Sequence, residues 1–300
     1  MWVIFAFASA FLLGCYEINK KISLNNNAVI PILFVNTLVS SLIFVPFILL
    51  SYCTTQLDGK LLYVPSVPVA THLAVFLKAV IVLLSWIFGY FAVKHLPLTI
   101  NGPIKATQPV LTLLGALLIF GERLNIYQWI GVSLSIMSFY LLSFAGKKEG
   151  IKFTSNKWIF FTILSIIFGA MSGLYDKHLM RELDVMTVQV WFNVYQCAIM
   201  SLVLIFMWYP RRHNNTPFVW RWNIILISIF LVLADWIYFY ALTDPDAMIS
   251  VVAMIRRSNV LVTFLVGAIF FNEKNLKSKA IDLFFVLLGM LFLYRGSVGG

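Results

Sequence analysis

Apolar residues run in long blocks along this chain. Ten blocks lie near 2–18, 28–52, 72–92, 97–120, 126–145, 158–176, 186–209, 222–243, 246–271 and 279–295, separated by short polar stretches. A helix needs ~20 mostly apolar residues to cross the ~30 Å hydrocarbon core of a bilayer. The pattern therefore predicts an all-α integral membrane protein with ten transmembrane spans and loops too short for a soluble domain. The first block lacks a basic leading segment, which predicts a retained helix rather than a cleaved leader. Inside the blocks polar residues are sparse and recur at helical spacing.

Composition supports that class. Hydrophobic residues make up 61% of the chain and charged residues 11%, against about 25% charged in a soluble domain. The net charge of +10 does not point to nucleic acid, because loop Lys and Arg set membrane topology and meet anionic headgroups. The expected partners are the bilayer and a small-molecule solute, with monomer and homodimer both left open. Cys15, Cys53 and Cys197 show neither a disulfide framework nor metal-ligand spacing, so no metal and no cofactor is expected. Loops after odd-numbered spans carry more of the Lys and Arg, among them Lys20, Lys147, Arg211 and Arg212. The positive-inside rule then places those loops in the cytoplasm and both termini outside.

The chain also repeats itself. Ala10-x-x-x-Gly14-x-Tyr16-Glu17 returns as Gly169-x-x-x-Gly173-x-Tyr175-Asp176, and Phe34-Val35-Asn36 as Trp191-Phe192-Asn193. Trp86-Ile87-Phe88-x-Tyr90 returns as Trp236-Ile237-Tyr238-x-Tyr240. Lys105-x-x-Gln108-x-x-x-Thr112 returns as Arg256-x-x-Asn259-x-x-x-Thr263. The matches keep their order, pairing span 1 with 6, 2 with 7, 3 with 8, 4 with 9 and 5 with 10. This predicts two five-span repeats over residues 1–146 and 155–296. Five is odd, so the second repeat enters the membrane inverted. Inverted repeats characterise alternating-access carriers, whose solute site lies near the midplane between the halves.

With these residues in view the chain resembles the drug/metabolite transporter superfamily in its ten-helix form, built from two EamA-type repeats. The resemblance rests on Gly14 with Lys20 or Lys21 in span 1, the Tyr90–Ala92 and Tyr240–Ala241 segments of spans 3 and 8, and the ends of spans 4 and 9 at Glu122 and Glu273. It implies a carrier independent of ATP, a central cavity lined mainly by spans 3, 4, 8 and 9, and both termini in the cytoplasm, opposite to the charge pattern. Lys105, Arg256 and Arg257 stand where many members carry apolar or small residues. A basic residue in span 4 with a basic pair in span 9 is similar to the sugar-phosphate/phosphate translocator branch, where such residues hold phosphate.

Charge inside a bilayer is costly, at least ~2.5–3.5 kcal/mol per residue at a helix centre, so these cations are expected to face the interior. Lys105, Gln108 and Thr112 fall at i, i+3 and i+7 on one helical face, and Arg256, Asn259 and Thr263 repeat that face. Arg257 points about 100° from Arg256 on a continuous helix. Facing cations make an anion site, since Arg offers a planar fork and Lys a point charge to carboxylate or phosphate. The alternative is that the cations are structural, paired with Asp235, Asp176, Glu17 or Asp282. Glu17 and Asp176 are repeat mates, readable as proton-coupling carboxylates or as interfacial ion pairs. Pro103 and Pro109 are expected to kink span 4. Asn36, Asn193, Trp86, Tyr90 and Tyr238 are further candidates for the solute wall, against a packing role.

These readings predict a secondary transporter of a small organic anion, carboxylated or phosphorylated. An amino-acid or general metabolite exporter is the alternative. A membrane-embedded enzyme holding a lipid phosphate is remote, because the sequence has no zinc-type His-Glu-x-x-His, nucleophile elbow or P-loop. The composition and short loops fit a bacterial inner membrane.

Overall fold

The computed structural model describes residues 2–60, 62–120, 125–147, 155–214, 216–242, 255–271 and 276–298. Glu122 and Glu273, at the expected ends of spans 4 and 9, lie outside them. The described residues form eleven α-helices and no strand. They are α1 (Trp2–Leu24), α2 (Val29–Cys53), α3 (Val69–His95), α4 (Leu98–Ala106), α5 (Gln108–Phe120), α6 (Ile126–Lys147), α7 (Lys157–Glu182), α8 (Val185–Val203), α9 (Asn223–Leu242), α10 (Asn259–Phe270) and α11 (Leu276–Val298). The α8 path continues through a π turn and a 3₁₀ turn to Asn214.

Five segments are by themselves long and apolar enough to cross a membrane: Trp2–Leu24, Val29–Cys53, Val69–His95, Lys157–Asp176 and Val185–His213. The other predicted spans coincide with α4 plus α5, α6, α9 and α11, and 255–257 and 259–270 are helical within the predicted span 246–271, whose first nine residues lie outside the described ones. At ~1.5 Å per residue the 22 residues of α6 extend ~33 Å, enough for the bilayer core. Phe7, Phe11, Leu73, Phe206, Ile269 and Phe284 are more than half exposed, an apolar surface of the kind that a bilayer covers.

Helix pairing follows the repeat. α1 packs along α9 and α3 along α7, and these two pairs are mates of each other; so are α1 with α10 and α7 with α5. α2 packs on α8 and α6 on α11, each a span against its own mate. The chain is thus an all-α membrane protein of two inverted five-helix repeats wrapped about a pseudo-twofold axis.

Small residues allow the closest approaches. A Cβ on Gly131 would lie 2.8 Å from the Gly289 carbonyl oxygen and 2.7 Å from Leu293 Cγ, so α6 and α11 touch there through backbone. Gly131→Ala is expected to destabilise the detergent-solubilised protein by about 1–3 kcal/mol, the usual cost of overpacking. A melting temperature unchanged by that substitution would contradict this contact.

Span 4 and its mate, span 9, are both broken. α4 ends at Ala106, Thr107 turns, and α5 starts at Gln108; likewise residues 255–257 are helical, Ser258 turns, and α10 starts at Asn259. Thr107 N–H and Ser258 N–H each donate back three residues, to the Ile104 and Ile255 carbonyls at 3.2 and 2.9 Å. Pro109 has no N–H for the Lys105 carbonyl, as expected. The corresponding residue after the other break is Val260, so the paired breaks do not depend on proline. Irregular backbone at membrane depth is tolerated where protein or a cavity surrounds it.

Candidate anion site between the broken helices

The two breaks meet at one cavity. Its wall comprises Glu17 from α1, Leu98, Asn101, Gly102, Lys105 and Ala106 from α4, Arg257, and Asn259, Val260 and Thr263 from α10. The cavity has about 30 Å³ open to the centre of a water molecule, room for about two waters. Gly102 permits this meeting, because a Cβ there would come within 3.0 Å of Val260 and 3.3 Å of the Thr263 hydroxyl.

The charges fall into three groups. Glu17 is held by two lysines, Oε2 by Lys20 Nζ at 2.7 Å and Oε1 by Lys105 Nζ at 3.0 Å. Lys20 is 2% exposed and its ammonium lies 4.3 Å from the Tyr16 ring centre and 5.0 Å from that of Tyr90, so it is sealed in an aromatic cage. Asp235 forms an ion pair with Arg256, whose guanidinium lies over the Tyr238 ring at 4.2 Å. Asp176 pairs with Lys78 at 2.6 Å, and Lys78 in turn lies over Phe192 at 5.0 Å.

Arg257 differs from the other cations of these groups. Among the described residues it has no carboxylate within ion-pair distance, and it faces the cavity. The N-terminus of α10 adjoins it at Asn259, and a helix N-terminus carries a partial positive charge. Lys105, Arg257 and that helix end together favour an anion.

Of the residues singled out from the sequence, the structure brings Lys105, Arg257, Asn259, Thr263 and Glu17 to one wall. It places Arg256 in its pair with Asp235. The amide of Gln108 sits over Gly169, whose added Cβ would be 2.8 Å from Nε2, and Thr112 donates to the Gln108 carbonyl at 3.2 Å. Asn193 donates to the Gln189 carbonyl at 2.7 Å, while the Asn36 carbonyl accepts from Ser228 at 3.1 Å; both side chains are buried. Trp86 packs edge-on to Phe192, Tyr90 is buried against Lys20, and Tyr238 lies beneath Arg256. Among the described residues the wall thus comes from spans 1, 4 and 9. Trp86, Tyr90 and Tyr238 of spans 3 and 8 pack against cations and apolar rings outside this wall.

Sequence reading passed over Lys78. Its signal is a single lysine inside the apolar run 72–92, which by the cost of intramembrane charge calls for a partner. Asn101 accepts from Thr162 at 3.1 Å and Thr99 from the buried Lys279 at 2.8 Å; these bonds fix the first half of span 4 against α7 and α11.

Two inverted repeats of membrane helices, with broken helices meeting at a polar cavity, define the architecture of a membrane carrier. The EamA-like transporter family matches residues 1–144 and again 156–295. The chain belongs to that family: it is a multi-pass membrane transporter of the drug/metabolite type. Among solved structures, one described only as a crystal structure of a protein aligns over 97% of this chain and 95% of its own, with a TM-score of 0.66 at 14% identity. That likeness extends to the fold. No curated protein matches the chain.

Proposed function

We propose that this chain is a secondary transporter of a small organic anion, carboxylated or phosphorylated, working by alternating access with its solute held between the broken spans 4 and 9. The observation that carries the reading is that Arg257 and Lys105 line one cavity, with Glu17 the single carboxylate on its wall among the described residues. Arg supplies a fork for two anionic oxygens and Lys a mobile point charge. The short loops support a bacterial inner membrane as its setting.

A second reading has its own support. Glu17 stands on the same wall as Arg257, so both signs needed by an amino acid are present. Against it, both carboxylate oxygens of Glu17 already hold lysines, which leaves little capacity for a solute ammonium.

The test is the melting temperature of the purified protein against inorganic phosphate, sugar phosphates, dicarboxylates, amino acids and organic amines. A solute at one hundred times its Kd stabilises by ~2.7 kcal/mol. Anions are expected to raise the melting temperature, and Lys105→Gln and Arg257→Gln each to remove most of that rise. Stabilisation by amino acids alone would establish the second reading. A full anion response in both variants would place the anion elsewhere.

A further inference from the structure

Resting on the anion reading above, we infer that Glu17 is a built-in competitor of the solute: its carboxylate occupies the anion position on Lys105 in the empty carrier and is displaced from it when the solute binds. The geometry separates the two oxygens of Glu17. Oε2 lies on Lys20, which is 2% exposed and enclosed by the Tyr16 and Tyr90 rings. Oε1 lies on Lys105, which is 19% exposed and on the cavity wall. The sealed bond is out of reach of a solute. The bond on the wall lies where a solute anion has to sit to use Lys105 and Arg257 together.

Displacement leaves no charge stranded. With its Oε1 released, Glu17 keeps Lys20 through Oε2, a neutral pair one turn apart on α1. Lys105 and Arg257 then face the solute with two positive charges, which favours a dianion such as a phosphate monoester or a dicarboxylate over a monoanion. When the solute leaves, Glu17 returns to Lys105, so that of the two wall cations only Arg257 is without a carboxylate partner among the described residues. The competitor makes solute binding weaker than the cations alone would give.

Three variants test this with inorganic phosphate and succinate as probes, read by half-saturating concentration in thermal melts. Glu17→Gln removes the competitor but also adds one net positive charge, which by itself attracts anions. The deciding variant is therefore Glu17→Gln/Lys20→Gln, which removes the competitor, keeps the net charge, and leaves no orphaned lysine in the Tyr16–Tyr90 cage. It is expected to bind at least one probe about tenfold more tightly than wild type, and Glu17→Gln/Lys105→Gln to lose that gain. Wild type responding while the double variant binds the same probe no more tightly would overturn the competitor role and leave the anion reading intact. Absence of a response to either probe in both wild type and the double variant would overturn the anion reading, and this inference with it.

Discussion

Replacing Asp235 by Asn is expected to lower the stability of the protein by roughly 3 kcal/mol, while replacing Arg256 by Gln costs less. Breaking a buried ion pair by removing one partner costs about 3–5 kcal/mol, because the other charge is left without compensation. Arg256 and Asp235 are 20% and 19% exposed, which argues for the lower end of that range. The two single variants differ in what the survivor can do. A stranded carboxylate escapes its cost by taking up a proton, whereas a guanidinium in a protein does not lose its own. Arg256 is further committed by its seat over Tyr238, so Asp235→Asn leaves it charged, held in place and unpaired. The double variant Asp235→Asn/Arg256→Gln should recover much of the loss, giving a coupling of about 2 kcal/mol, within the span seen for directly contacting pairs. The same cycle separates structure from transport. If Arg256 were instead a solute ligand restrained by Asp235, Asp235→Asn would keep its melting temperature and gain anion affinity.

That separation bears on what the sequence made legible. The spans were readable because the bilayer demands long apolar runs, and the inverted repeat because mates such as Gly14 and Gly173, or Lys105 and Arg256, keep their order. Interior placement of Lys105, Asn259 and Thr263 followed from the cost of charge in lipid and from the helical period. Continuous periodicity put Arg256 on the face of Asn259 and Thr263, with Arg257 about 100° away. Across the turn at Ser258 it is nonetheless Arg257 that shares the cavity with them. A helix break of this kind leaves little local trace: Pro109 marks the span 4 break, yet no proline follows Ser258 within span 9. The ion-pair partners were equally hidden. Glu17 finds Lys105 at a separation of 88 residues, and Asp176 finds Lys78 on another span. Sequence shows that such charges need partners, but only the helix arrangement decides which.

Gly14 and Gly173 lead to the other large effect, because they are equal in the repeat and unequal in the structure. A Cβ on Gly14 would lie 2.6 Å from Val262 Cβ and 2.7 Å from its Cγ1, so α1 and α10 are in full contact at that point. Among the described residues a Cβ on Gly173 meets nothing within 4 Å, the repeat mate of Val262, Leu111 on α5, included. The asymmetry is local to the two glycines, because α5 and α7 pack beside Gly173, where a Cβ on Gly115 would lie 2.6 Å from Leu174 Cδ1. A carrier that works by exchanging the conformations of its two inverted halves has to reverse this: the Gly14 contact opens and Gly173 closes onto α5. Gly14→Val is therefore expected to destabilise the arrangement seen here by about 1–3 kcal/mol or more, since the neighbour is a stiff β-branched side chain that yields little. Gly14→Val/Val262→Ala should restore part of that loss. Gly173→Val faces open space and replaces a poor helix former, so its melting temperature should match wild type. Its cost falls on the opposite-facing state, where the added branches obstruct closure, and turnover in proteoliposomes should drop at least tenfold with anion binding kept. Uptake at the wild-type rate by Gly173→Val would mean that Gly173 itself does not close onto α5 during transport, and that the two glycines do not exchange their roles.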